Sequence, residues 1–323
     1  MSIREENGRR KQGEKFWEGL MALATTVVSI ALVLIFVFVA KEALPVFLPA
    51  QDPRARLPAL FLPQRSSQAD LSWEFAWQPV AEEPRFCLVP LLVGTFKVAL
   101  IAVVVAGPLG LGAAILASEL MPPRWARWLE TCAHLLAGIP TIIWGFFALM
   151  FLADYLQSAL HLVTRLSALT AGLALGMAVT PTVFFWALRS LAALPANLRV
   201  AALSLGLSRG QVVYRVILPA AWPALLGAVL AALGRATGET MIAVMAAGNA
   251  PVISLHPADP ARTMAATIAA ELAQAVFGGK HYSVLFFMGL LLFTFSALTH
   301  WGAVALTGAV RWRSSREERR WWL

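Results

Sequence analysis

Arg235 and Glu239 stand four residues apart in the stretch LGRATGETMIAVMAAGN (233–249), and nineteen uncharged residues flank the pair on each side. A charge inside hydrocarbon costs about 2.5–3.5 kcal/mol on insertion scales, so such side chains face a polar cavity or a partner. On a continuous helix the i,i+4 spacing sets both on one face, where they offset each other. The chemistry on offer is anion binding. A guanidinium forks onto phosphate, sulfate or carboxylate through two parallel N–H donors. A carboxylate beside it repels a fully deprotonated anion but accepts a hydrogen bond from one that keeps a proton. Phosphate near neutral pH keeps such a proton and sulfate does not. The pair therefore reads either as part of a path for a charged solute or, more plainly, as an ion pair that fixes a helix.

The elements that position these residues are membrane spans. The 323-residue chain is 59% hydrophobic and 14% charged, with a mean hydropathy of +0.70, against about 25% charged residues in soluble domains. Residues 19–40 carry no charge between Glu18 and Lys41 and span about 33 Å as a helix. That run exceeds the roughly 7–15 apolar residues of a signal peptide. Further spans are expected over about 88–117, 129–153, 166–188, 216–258 (one or two) and 284–310. A polar, Pro-rich segment, 41–87, with Trp73 and Trp77 near its end, separates the first two.

The count turns on the opening stretch. A turn at GRATGE makes two spans of 216–258; one helix running through Arg235 and Glu239 to near Gly248, Asn249 and Pro251 makes one. Lys and Arg collect on the cytoplasmic side. Six spans put sixteen of the 26 basic residues inside, including the five arginines of 311–320; a seventh would send that tail outside. The expectation is six spans, with residues 1–18 and 311–323 cytoplasmic and 41–87 periplasmic. With the helix starting near Ala220, Arg235 lies about 22 Å and Glu239 about 28 Å along it.

The loop before that span, 193–225, reads as helix–Gly–helix. Pro195 opens the first helix and Gly206 ends it in the left-handed conformation. Ser208 and Gln211 form a capping box for the second, which Pro219 closes. Such an element on the inner face is a docking knob, and the closely flanking spans exclude a DNA-binding helix-turn-helix. Gly278-Gly279-Lys280 lacks the upstream glycine and the Ser/Thr of a phosphate loop, so energy coupling must come from elsewhere.

Other residues have plainer readings. Lys97 snorkels or pairs locally. Glu271 lies on an amphipathic stretch, 261–277, whose polar side meets water or a partner. The histidines (134, 161, 256, 281, 300) lack H-x-x-x-H spacing, so no metal site is expected. Cys87 faces outward and Cys132 inward, which separates them. Met241 and Met245, one turn apart, are packing residues, and Gly172, Gly176, Gly227 and Gly234 allow close helix approach. Trp125, Trp128, Trp312, Trp321 and Trp322 fit an inner interfacial belt. The pI near 10.2 reflects arginines that meet anionic lipid rather than nucleic acid.

The loop also carries a resemblance. Val200-Ala201-Ala202, Gly206 and Val216-Ile217-Leu218-Pro219 are similar to the E-A-A-x-x-x-G…I-x-L-P motif of ABC importer permeases, with Val200 in place of the motif's glutamate. With AGIPTIIWGFFAL (137–149), PLLVGTFKVALIAVVVAGPLGLGAAILASEL (90–120), LGRATGETMIAVMAAGN and AATIAAELAQAVFGGKHYSVLFFMGLLLF (265–293), residues 73–300 resemble the phosphate-specific transport permeases, in the wording of the C-type subunit, PstC. The resemblance implies an all-α membrane protein of six transmembrane helices, a first helix at 19–40 and a five-helix core at 88–310 with a cytoplasmic coupling loop at 193–219. It implies inorganic phosphate carried across a bacterial inner membrane with a second permease subunit (PstA-like), two ATP-binding subunits (PstB-like) and a periplasmic phosphate-binding protein (PstS-like). Arg235, Glu239 and Thr240 would line the substrate path; Ala201, Ala202, Gly206, Leu218 and Pro219 would couple to the ATPase. No catalytic residue, cofactor or metal is implied. The alternatives are another oxyanion (sulfate, molybdate or phosphonate) or a membrane-embedded enzyme with Glu239 as acid or base. The enzyme needs more polar partners than the spans offer beyond Lys97.

Overall fold

A computed structural model of the chain describes the backbone of residues 3–47, 57–65 and 73–320, and the side chains of 17–47, 57–64 and 74–308. In hydrocarbon no water satisfies backbone N–H and C=O groups, so long apolar segments must be helical. Six helical runs among the described residues are long and apolar enough to cross a membrane: 17–46, 89–120, 141–160, 168–192, 209–237 and 280–308. The expected count of six spans agrees with this.

The first run belongs to α1 (Ile3–Ala43) and the second to α2 (Val89–Ile115) with a π turn, Leu116–Leu120. The third run departs from the expected 129–153. Helix α3 (Pro123–Gly138) stops at Ile139, and the span is α4 (Thr141–Phe147), a π turn (Ala148–Leu152) and α5 (Ala153–Leu160). Pro140 is the cause: it donates no N–H and forces Ile139 into extended backbone, φ −71° and ψ 121°. Helix α3 is amphipathic and exposes Trp125, Trp128 and Leu135. The belt residues Trp312, Trp321 and Trp322 lie outside the described side chains.

The core gathers α2, α6 (Ala168–Ala192), α9 (Leu218–Thr237) and α12 (Lys280–Arg320). Small residues bring these helices together. A Cβ at Gly172 would sit 2.6 Å from Ile101 Cβ, and one at Gly176 2.8 Å from Val105 Cβ, where α6 crosses α2. Gly227 meets the Ala303 backbone and Gly234 meets Thr299, where α9 crosses α12. All four glycines thus stand at helix crossings. The first span is peripheral: α1 leans on α12 through the ring pairs Phe36–Phe293 and Phe38–Phe286.

The segment before α2 folds onto one end of the bundle. Two short antiparallel pairs, β1 (Gln64–Arg65) with β2 (Trp73–Glu74) and β3 (Trp77–Gln78) with β4 (Arg85–Phe86), carry Leu60, Trp77 and Phe86 onto Met264, Leu285 and Met288. Glu271, expected on a side that meets water or a partner, ends α11 (Met264–Glu271), and its carboxylate is held by bonds within the chain. It is half-buried, accepting from Trp77 Nε1 at 3.1 Å, from Arg262 Nη2, and pairing with His281 Nε2 at 2.8 Å. Burial opposes its charge, but the bonds from His281 and Trp77 and the Arg262 charge outweigh it and hold the carboxyl below its ordinary value. Lys97 does pair locally, with Nζ donating to the carbonyls of His256 (3.3 Å) and Asp259 (3.4 Å). Cys87 is fully buried rather than water-facing, and burial pushes its thiol pKa up, so it is a poor target for thiol reagents.

Two outcomes follow from this packing. Gly172→Val should overpack the α2–α6 crossing at a cost of about 1–3 kcal/mol and lower the melting temperature in detergent. Gly112→Ala, with no heavy atom within 4 Å of the added Cβ, should leave it unchanged or raise it. A carboxyl whose folded pKa is depressed adds stability above its unfolded pKa and loses it as pH falls through the folded value. Wild-type protein should therefore lose more thermal stability than Glu271→Gln when acidified from pH 6 to below the ordinary carboxylate range; equal losses would remove Glu271 from that role.

Candidate anion path and coupling loop

The helix expected to run through Arg235 and Glu239 breaks between them. Helix α9 ends at Thr237, and α10 (Met241–Ala246) begins after a three-residue gap. Local side chains compete with the helical ladder at this point. Thr237 Oγ1 donates to the Gly234 carbonyl at 3.0 Å, Thr240 Oγ1 to the Gly238 carbonyl at 3.4 Å, and Glu239 Oε1 accepts from the Met241 N–H at 3.1 Å. The i,i+4 geometry is lost, and among the described residues no ion pair joins Arg235 to Glu239. The guanidinium instead donates through Nη1 to Thr182 Oγ1 on α6.

That contact fixes the depth of the site. Thr182 lies fourteen residues into the 25-residue α6, about 21 Å from its start at 1.5 Å per residue. Arg235 is therefore level with the middle of a span. Irregular backbone at such depth is tolerated only where protein buries it or it lines a polar cavity. Arg235 is exposed, while Glu239 and Thr240 are partly exposed. A guanidinium carries five N–H donors, and Thr182 is its one hydrogen-bond partner among the described residues. The three residues expected on the path are thus held at one helix break. Met245 has the expected packing role: a Cβ on Gly145 of α4 would meet its Sδ at 2.8 Å. Met241 is exposed. Thr182 escaped the sequence reading; its signal was a Thr-Pro-Thr interruption, 180–182, in an otherwise apolar span.

The docking loop keeps its expected turn. Helix α7 (Ala196–Ser204) follows Pro195 and ends at Gly206, φ +81°. The Gly206 N–H bonds to the Leu203 carbonyl and the Leu207 N–H to that of Ala202, the paired bonds of a Schellman turn. Ser208 and Gln211 form the capping box of α8 (Arg209–Val212). Pro219 does not close this second helix. It continues through a π turn, Val213–Ile217, into α9, where Pro219 occupies the first turn. The Leu218 N–H reaches back five residues to Val213, so the missing Pro219 donor falls where the ladder changes register. Ala202 is buried and Leu218 half-buried, whereas Ala201, Gly206 and Pro219 are exposed. Exposed apolar side chains surround them: Val200, Leu203, Leu205 and Tyr214.

Residues 106–312 match the family described as binding-protein-dependent transport system inner membrane component. The chain belongs to this family. It is a permease of the ABC importer type and a multi-pass inner-membrane protein. A probable ABC transporter permease, YqgH, of Bacillus subtilis is 30% identical over 74% of this chain and 77% of its own. The phosphate transport system permease PstC of Mesorhizobium japonicum is 35% identical over 69% and 73%, and PstC 1 of Mycobacterium tuberculosis 32% identical over 69% and 71%. A chain of the inward-facing MetNI methionine ABC transporter shares the fold, with a TM-score of 0.53 and 18% identity over 69% of this permease and 97% of that chain.

Proposed function

We propose that this permease carries inorganic phosphate, with the guanidinium of Arg235 as the group that meets the anion midway through the membrane. The observation that carries the reading is the helix break at Gly238–Thr240, with Arg235 level with the middle of a span, exposed and without an ionic partner among the described residues. Relatives named as phosphate permeases support the choice of anion. Glu239, freed from Arg235, would accept the proton that phosphate keeps and sulfate lacks, and Thr240 adds a hydroxyl at the same break.

The remaining assignments follow from this. A periplasmic phosphate-binding protein would deliver the anion, and a second permease subunit would complete the pore. Two ATP-binding subunits would seat on the loop 193–219, where the exposed side chains of Val200, Leu203, Leu205 and Tyr214 offer an apolar contact in place of the motif's glutamate. Both termini, 1–18 and 311–323, would be cytoplasmic and the 41–87 segment periplasmic, by the distribution of arginine and lysine.

Phosphate uptake into vesicles, with all partner subunits present and at matched permease abundance, tests the anion path. Arg235→Lys keeps the charge and loses the fork, and uptake should fall about 10- to 100-fold. Arg235→Gln combined with Glu239→Gln should insert and assemble yet transport as poorly. A transport-competent double variant would make the two residues structural, and sulfate uptake in place of phosphate by the wild type would reassign the solute. Orientation is read by cysteines at two highly exposed positions in a Cys132→Ser background. Val163→Cys should react with an impermeant thiol reagent on intact spheroplasts, and Leu205→Cys only after permeabilisation. The reverse pattern would invert the topology.

A further inference from the structure

Arg199 stands one residue before Val200, where the ABC motif's glutamate is missing, and its guanidinium is bonded within the chain. Its Nε donates to Glu119 Oε2 at 2.9 Å and its Nη2 to Glu119 Oε1 at 2.6 Å, a side-on fork. The same guanidinium donates through Nη2 to the Leu191 carbonyl at 3.0 Å and through Nη1 to the Leu194 carbonyl at 3.3 Å. Ser118 Oγ donates to Glu119 Oε1 at 2.9 Å. The Glu119 side chain is only 6% exposed and that of Arg199 26%. One side chain of α7 thus ties together the π turn that follows α2, the Leu191 carbonyl in the last turn of α6, which also accepts from the Leu194 N–H at 3.3 Å, and the Leu194 carbonyl just beyond that helix.

From this geometry we propose that Arg199 and Glu119 form the strut that carries movement of α7 into the membrane. The proposal rests on reading 193–219 as the ATPase-coupling loop. A displaced α7 cannot leave the inner ends of α2 and α6 without stripping a buried carboxylate of its fork and two carbonyls of a guanidinium donor, so the three move as one body. Helix α6 then delivers the displacement to the anion path. Thr182, which holds Arg235, lies nine residues before Leu191 on that helix, about 14 Å away. Docking and force transmission are thereby divided between neighbours: the outward apolar side chains receive the ATPase, and the inward Arg199 passes the motion on. Both strut residues are positioning residues and neither need touch the solute.

The test replaces the pair with Glu119→Met and Arg199→Met together, since a buried ion pair exchanged for apolar side chains of similar volume commonly keeps its stability. The complete transporter is used, with nitroxide labels on Leu120→Cys at the end of the π turn after α2 and on Asn197→Cys, exposed at the start of α7 and not one of the four apolar docking side chains, in the Cys132→Ser background. In the native strut the distance between the labels should be the same without nucleotide and after trapping with ATP and vanadate. In the methionine pair it should shift between the two states, ATP hydrolysis should persist, and solute carried per ATP should fall about tenfold. Label distances that respond alike in both proteins would overturn the strut. If the methionine pair fails to assemble, Arg199→Lys decides the question, because it keeps the charge and loses the fork; a native-like distance pattern there overturns the proposal equally. The label distances do not depend on which anion is carried. Wild-type complex that hydrolyses ATP without moving phosphate would therefore fail the phosphate reading while leaving the strut to be judged by the distances.

Discussion

Hydrocarbon does not solvate a peptide group, and that constraint organises this protein. Every span must close its own hydrogen bonds, so any interruption at membrane depth demands compensation from side chains or from water. Three π turns among the described residues keep the ladder running by shifting its register, one of them beside Pro219. The break at Gly238–Thr240 does not keep it running. It stops α9 and leaves hydroxyls, a carboxylate and a guanidinium at mid-depth. A purely structural protein gains nothing from such an arrangement, whereas a transporter of a charged solute needs one. Glycine contacts at the α2–α6 and α9–α12 crossings hold the surrounding helices close enough for Thr182 of α6 to reach Arg235 of α9.

Much of this was legible in the sequence because apolar length and glycine spacing are local signals. The six spans, the Gly206 turn, the Ser208–Gln211 box and the packing glycines all follow from residues within a few positions of one another. What misled was hydropathy applied across a breaker. The apolar run 129–153 hid the stop at Pro140, and the run around 235–239 hid a helix end made by Thr237, Glu239 and Thr240 bonding to nearby backbone. The Arg235–Glu239 pairing failed for the same reason, since i,i+4 geometry exists only on an unbroken helix.

Contacts between distant segments were not legible. Thr182 stands 53 residues from Arg235, and the Thr-Pro-Thr interruption around it marks a polar spot without naming its partner. Glu271 read as a residue meeting water or a partner because its bonds within the chain, to Trp77, Arg262 and His281, come from three different segments. Arg199 sat inside a recognised motif, yet its partner Glu119 lies 80 residues earlier. In each case the polar group is satisfied by tertiary structure, and its meaning changes from surface charge to link.

The central claim is that Arg235 faces a water-filled path in the assembled transporter rather than lipid or packed protein. Reactivity of Arg235→Cys toward a small hydrophilic thiol reagent tests this most directly, in the Cys132→Ser background with all subunits present and Val33→Cys on the peripheral α1 as the lipid-facing control. The account predicts that the cysteine at 235 is modified and that the control stays unreactive. A cysteine at 235 as inert as the control would contradict it.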